Sequence, residues 1–176
     1  MSAPYVVFET ERGWVGLAAT PDGLIRSILP LKTRESVERN LVVPPAALDL
    51  LTRPPDDAVR LLTAYYRGEP VDLRPIALDL VSCTPFDRRV YAVLVGIKRG
   101  VVITYGQAAR QAGSPGAARA VGGAMSRNPL PPFIACHRVV GSDGAMVGFS
   151  TEGGIALKRS LLEMEGVRFR GDRVIS

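Results

Sequence analysis

The chain has 176 residues, 47% of them hydrophobic and 22% charged, room for one generous domain or two small ones and the balance of a protein that buries a core. That balance excludes wholesale disorder, and the apolar runs stop well short of the roughly 18 residues a bilayer span requires. The charge is uneven: residues 1–80 carry nine basic against eleven acidic groups, a net of −2, and residues 81–176 carry thirteen against six, a net of +7.

The first thirty residues alternate, with Tyr5 and Val7, then Trp14 and Gly16, then Leu24 and Ile28, separated by ERG and PDG turn signals. This predicts a three-stranded antiparallel meander. Thr33 opens a short polar helix to about Leu41, and Pro54-Pro55-Asp56-Asp57 opens a longer one, with Ala58, Leu61, Leu62 and Tyr65 as its apolar stripe and Gly68 as its stop. Ile76 to Leu80 reads as a further strand. Strands followed by helices make residues 1–80 an α+β unit.

A second unit is expected from 84 to 176. Thr84, Pro85 and Asp87 supply an N-cap, a first-turn proline and an acid three residues after the cap. Phe86, Val90, Leu94 and Ile97 mark the buried stripe of that helix, which Gly100 closes. A short apolar run, Val101 to Thr104, leads into a helix from Tyr105 to about Ala112. Gly113-Ser114-Pro115-Gly116 makes a turn, and with Ser114 as cap and Pro115 at the first position a second helix runs to about Arg127. Helix, tight turn, helix is the pattern of a helix-turn-helix. The second helix carries Ala117, Ala118, Ala120, Gly122, Gly123 and Ala124, with Arg119 as its one long cation before Arg127. Such a surface allows close approach, either to a nucleic-acid backbone or to another helix. A basic second half points to a polyanion, because clustered arginines neutralise phosphates and release counterions; a solvated arginine-rich face is the plainer alternative.

Cys136 stands beside His137, the single histidine of the chain, followed by Arg138. A free thiol is mostly protonated at neutral pH, so a nucleophilic cysteine needs a base or a positive neighbour, and His137 and Arg138 could supply them. Adjacent residues on an extended chain point apart, so direct contact would require a turn or a bridging water. A buried structural cysteine next to a hydrogen-bonded histidine is the alternative. One histidine and two distant cysteines lack the close spacing of a zinc site, so no metal is expected. Two cysteines are also too few for a disulfide scaffold, and the start MSAPYVVFETERG has no basic segment leading an apolar one. Neither export nor membrane insertion is expected, and a reducing cytoplasm is.

Tyr105, the run Ala117 to Met125, Asn128-Pro129, Cys136 to Val140, Lys158, Leu161-Leu162 and Glu165-Gly166 together resemble, in order and spacing, the O6-alkylguanine-DNA alkyltransferases. The resemblance is strong over residues 84–166, whereas residues 1–80 share only the general pattern of that family's N-terminal domain. It implies a fold class of α+β, with a ribonuclease H-like antiparallel sheet plus helices, then a mostly helical winged helix-turn-helix domain. It implies direct repair of O6-alkylguanine in double-stranded DNA, one lesion per molecule, by a cofactor-free monomer in a prokaryotic cytoplasm, associated with the nucleoid. In this picture Cys136 accepts the alkyl group, His137 takes the thiol proton through a water, and Glu165 orients the imidazole. Tyr105 and Lys158 assist the guanine leaving group, and Asn128 braces the turn before the cysteine loop. Arg119 fills the space of the flipped nucleotide; Ala117, Ala118, Ala120 and Gly122 face the minor groove, and Ser114 and Ser142 lie near phosphates. Met125, Val139, Phe149 and Ser150, with Tyr105, line the base pocket.

Two departures from the family's pattern bear on the substrate lid and the reactive loop: Ala135 stands where most members have proline, and Phe149 where many have tyrosine, with Thr151-Glu152 lengthening the segment before Gly153-Gly154. Three rivals remain at this level: a lesion sensor that flips without transfer, a Cys-His thiol hydrolase, and a plain helix-turn-helix regulator. The presence of Cys136 speaks against the sensor, and the shortage of base-reading side chains in the second helix against the regulator.

Overall fold

The computed structural model describes residues 5–151 and 153–175. It is a mixed α+β protein in two compact units: one runs to Ser82 and takes in Pro129–Phe133, and the other comprises Cys83–Asn128 and the chain from Ile134 onward.

In the first unit β1 (Tyr5–Thr10), β2 (Gly13–Thr20) and β3 (Gly23–Leu31) form an antiparallel sheet in the order β1-β2-β3. The central strand is buried from Val15 to Thr20, on both faces. The helix α1 (Arg34–Asn40), capped by the Thr33 hydroxyl on the Ser36 N–H, lays Val37 over β2 so closely that a Cβ on Gly16 would meet Val37 Cγ1 at 2.6 Å. Glycine at 16 is thus a packing requirement rather than a turn signal. In α2 (Asp56–Tyr66) the buried residues are Ala58, Leu62, Tyr65 and Tyr66. Leu61 is only half-buried, and Tyr66 takes the place expected of it. Pro45–Leu50 adds a 3-10 turn that the sequence reading did not include.

The strand expected at Ile76–Leu80 is absent. Only Leu78 makes a bridge, to Leu24, with the Leu24 N–H donating to Ala77 O and the Asp79 N–H to Leu24 O, both at 2.9 Å. Two causes are visible. The free edge of β3 is shared: the Ser27 N–H donates to Pro129 O (2.9 Å) and its hydroxyl to Pro131 O (2.6 Å), so residues 129–131 occupy the next stretch. Beyond Leu78 the chain is turned away by Asp79, whose carboxylate accepts from the Thr20 hydroxyl at 2.7 Å and from the Val81 N–H at 3.1 Å.

The second unit begins with α3 (Pro85–Gly96), whose Thr84 cap accepts from the Asp87 N–H at 3.1 Å. Asp87, Val90, Tyr91 and Leu94 are its buried residues. The helix ends at Gly96 and not near Gly100, because Ile97 turns extended (φ −69°, ψ 120°) to reach the core, and Gly100 makes a separate left-handed bend at φ +75°. After β4 (Ile103–Thr104) comes α4 (Tyr105–Gln111), with Thr104 and Gln107 in a reciprocal capping box. The following helix α5 (Ala118–Ser126) starts three residues later than expected. Ser114 does not cap it with its side chain; its carbonyl accepts from the Ala117 N–H, and Gly116 at φ +87° interrupts any earlier helical turn. The remaining elements are β5 (Val139–Val140), parallel to β4, then α6 (Gly154–Met164) and a terminal hairpin, β6 (Arg168–Arg170) with β7 (Arg173–Ile175), that the sequence reading did not foresee.

Candidate active site and nucleic-acid interface

Cys136, His137 and Arg138 do not lie on an extended chain. They form a single 3-10 turn, with the Arg138 N–H donating to Ala135 O at 3.0 Å. The described bond of the His137 ring is to Glu165, and the extended chain expected from sequence is replaced by that turn. Asn128 closes the loop that leads into it, its Nδ2 donating to Ile134 O at 2.8 Å.

All three residues of the turn are buried, Cys136 at 4% and His137 at 1% exposure. Burial pushes the Cys136 thiol up, while a hydrogen bond from Asn128, the nearby Lys158 ammonium and the backbone N–H groups of Cys136 and His137 pull it down. His137 faces away from solvent to Glu165, Nε2 to Oε1 at 2.9 Å. Burial lowers the imidazole pKa, Glu165 raises it, and the cations Arg138 and Lys158 lower it, so the resting ring is neutral and able to take a proton.

Glu165 follows the last turn of α6 and is the hub of this cluster. It accepts from Arg138 in a fork, Nε to Oε2 at 2.9 Å and Nη2 to Oε1 at 2.8 Å, from His137, and from the Gly100 N–H at 3.3 Å. Burial alone would raise its pKa, but the hydrogen bonds from His137 and Arg138 and the attached positive charge outweigh that and hold the carboxyl well below the usual range. Arg138, whose guanidinium also donates to Ile97 O, was read from sequence only as a positive neighbour of the thiol. Its charge goes instead to the carboxylate. A buried arginine beside a buried acid far along the chain leaves no local sequence signal.

Lys158 is fully buried on α6, and its Nζ donates to Val139 O at 2.6 Å and Val147 O at 2.8 Å. Burial pushes its pKa down to about 8, against the pull of Cys136. The Phe149 ring lies 5.9 Å from Nζ. Tyr105, first residue of α4, has its hydroxyl 3.4 Å from both Val147 O and Gly148 O; burial and the neighbouring Cys136 raise its pKa. Gly148, at φ +60°, passes so close to that hydroxyl that any Cβ would overlap it. Cys136, His137, Glu165, Asn128, Lys158 and Tyr105 therefore lie in one interacting cluster. Met125 and Val139 are buried and Phe149 is half-buried, whereas Ser142 and Ser150 are exposed and their side chains bond to no described residue.

On α5, Arg119 and Ala120 are exposed, and Ala117, Ala118 and Gly122 are half-buried. Among the described residues Arg119 makes no ion pair. The opposite side of the helix is tied down: the Tyr91 hydroxyl donates to Ala124 O at 2.8 Å, and Arg127 forks onto the buried Asp87 at 2.8 and 3.2 Å. That guanidinium hydrogen bond is the main reason the Asp87 carboxyl stays low. From sequence Asp87 carried only a helix-start role; its pairing 40 residues along was not legible. Among the described residues there is no group of three or more His, Cys, Asp or Glu able to hold a metal, and no helix is long and apolar enough to cross a membrane.

A buried thiol next to a histidine–carboxylate pair marks the second unit as a thiol-chemistry domain. Residues 85–167 match the DNA-binding domain of 6-O-methylguanine DNA methyltransferase; β6 and β7 fall beyond that match. The chain is 40% identical to the methylated-DNA–protein-cysteine methyltransferase of Methanothermobacter thermautotrophicus, covering 89% of this chain and 82% of that one. It is similar to a Mycobacterium tuberculosis relative solved in complex with DNA, at 35% identity, TM-score 0.70 and coverage of 92% and 91%. The O6-methylguanine-DNA methyltransferase of Pyrococcus kodakaraensis aligns with TM-score 0.70 at 30% identity, over 93% of this chain and 98% of the other. The chain belongs to the methylated-DNA–protein-cysteine methyltransferase family.

Proposed function

We propose that this protein repairs O6-alkylguanine in double-stranded DNA by moving the alkyl group to Cys136, once per molecule. The observation that carries the reading is the buried Cys136 turn, with its histidine bonded to a carboxylate that already holds an arginine. Neutral His137 takes the thiol proton through a water, and Glu165 stabilises the imidazolium that forms. The sulfur then attacks the alkyl carbon as the carbon–O6 bond breaks. The electron pair leaves with guanine, and a proton from Tyr105, with the charge of Lys158 behind it, neutralises the departing base. A thioether and an unmodified guanine result. The sulfur is not regenerated, because a thioether has no easily hydrolysed bond, and the reaction needs no cofactor.

Guanine O6 is hidden in the duplex stack, so the nucleotide must be flipped out at a cost of about a few kcal/mol. The small-residue face of α5, where Ala120 and Arg119 are exposed and the others half-buried, supports this role: Ala117, Ala118, Ala120 and Gly122 permit close approach to the minor groove while Arg119 fills the vacated space. Ser114 and Ser142 approach phosphates. Met125, Val139, Phe149, Ser150 and Tyr105 receive the base, and Asn128 braces the cysteine loop. In the same reading residues 1–80 form a ribonuclease H-like domain, supported by the antiparallel meander with its helices. Residues 84–176 form a winged helix-turn-helix domain, supported by α4, the Gly113–Gly116 turn and α5. The protein works as a monomer in a prokaryotic cytoplasm, at the nucleoid.

Incubation with O6-methylguanine duplex is expected to add one methyl mass to the peptide holding Cys136, and Cys136→Ser to abolish repair, lowering the rate by more than about a thousandfold. Methyl found on Cys83 would refute the assignment of the acceptor, and many lesions repaired per polypeptide would favour a hydrolase.

A further inference from the structure

We infer that one face of the terminal β6–β7 hairpin is a second contact for the phosphate backbone, separate from the helix-turn-helix. Partner residues in an antiparallel pair share a face, so Arg168, Arg170 and Arg173 stand together with Ile175, which faces Arg168, while Phe169 and Val174 turn to the other side. Arg170 is directly opposite Arg173. Like charges in that position repel. Arg173 is paired with Asp143 at 2.9 Å, whereas Arg168 and Arg170 are exposed and have no ion pair among the described residues. Charges that merely kept a hairpin edge soluble could be of mixed sign and would then attract across the strands. A single sign fits a polyanion.

The hairpin is not a loose basic tail. Arg159 of α6 lies over the Phe169 ring at 4.7 Å and donates to Gly171 O at 2.9 Å. On the other strand, the Val174 N–H donates to Gly144 O at 3.0 Å and the Met146 N–H to Asp172 O at 3.2 Å. The cationic face is thus fixed beside the 141–146 turn, which carries Ser142. A hairpin whose backbone is already held gives up less conformational freedom on meeting phosphates than a mobile tail does. The partner is the backbone of duplex DNA, so the inference rests on the duplex reading above, and it adds affinity without base selectivity.

The test compares wild type, Arg168→Gln/Arg170→Gln, and a control that removes equal charge from the first unit, Arg53→Gln/Arg60→Gln. Binding to undamaged duplex is measured across a salt series, and alkyl transfer from lesion duplex and from free O6-benzylguanine is measured beside it. The hairpin variant is expected to bind about tenfold more weakly at low salt, with a log–log salt slope shallower by about 2. The control keeps the wild-type slope, and transfer from the free base is unchanged in all three. An unchanged slope in the hairpin variant, an equal change in the control, or a parallel loss of free-base transfer would overturn the inference. Wild type that binds duplex with the expected slope but transfers nothing would sink the repair reading and leave the hairpin contact standing, and wild type that does not bind duplex would sink both.

Discussion

The cysteine cluster and the α5 face lie in the same unit and are built in opposite ways. Around Cys136 nearly every polar atom is already committed: Glu165 has four donors, Lys158 two carbonyls, and Asn128 the Ile134 carbonyl. On α5 the exposed residues are Ala120, Ser126 and Arg119, and Arg119 has no ion pair among the described residues. One region is preorganised by internal bonds; on the proposed reading the other meets its partners only when DNA binds. Substitutions in the first should damage folding and chemistry together, and substitutions in the second should spare the fold.

Glu165→Gln is the severest break of that contrast. Arg138 and His137 would lose their shared anion while buried, which costs about 3–5 kcal/mol of stability, measurable by denaturant unfolding, and transfer to Cys136 should fall as well. Retention of wild-type stability would show that the cluster is not held by its carboxylate.

The pH dependence sharpens the same point. His137 has a folded pKa below its ordinary 6.5, so below that value the unfolded chain binds the extra proton and stability drops as pH falls. Glu165, depressed below its ordinary 4.5, adds a second loss on further acidification. On the proposed mechanism neutral His137 accepts the thiol proton, so transfer should persist below pH 6.5 in wild type. Arg138→Gln removes a cation that holds the imidazole down and should move the acid limb of the pH–rate profile to higher pH. An unmoved limb would show that Arg138 only packs.

A smaller effect is expected on the bare face. Arg119→Ala should slow transfer from lesion duplex by about tenfold, with transfer from free O6-benzylguanine and the unfolding midpoint unchanged. Equal loss on both substrates would argue against a flipping role. Smallest is Thr84→Ala, which removes the α3 cap for about 1 kcal/mol and should leave transfer unaltered at moderate temperature; a larger activity loss would tie the cap to the site.

Much of the architecture was legible because it is local. The meander shows as alternation between turn signals, and Thr33 and Thr84 announce their helices through capping hydroxyls. The residues of the cluster were legible through the resemblance to a family pattern that runs from Tyr105 to Glu165. What escaped is long-range or short. Arg138 with Glu165 and Arg127 with Asp87 are pairings across 27 and 40 positions. The Ile76–Leu80 strand failed because the edge it would have extended is shared, which no hydropathy pattern records. Helix α3 stopped early because Ile97 is drawn to the core. The β6–β7 hairpin has three residues a side and arginines at alternate positions, so its alternation hides within a basic stretch, although Gly171-Asp172 was a usable turn signal.

The borrowed stretch at Ser27 bears on synthesis. Because residues 129–131 complete the β3 edge, the sheet must wait for a segment about a hundred residues further along the chain before that last partner arrives. A chain that has not yet delivered that segment leaves the β3 margin at Ser27 unpaired, the kind of surface that pairs wrongly with neighbours.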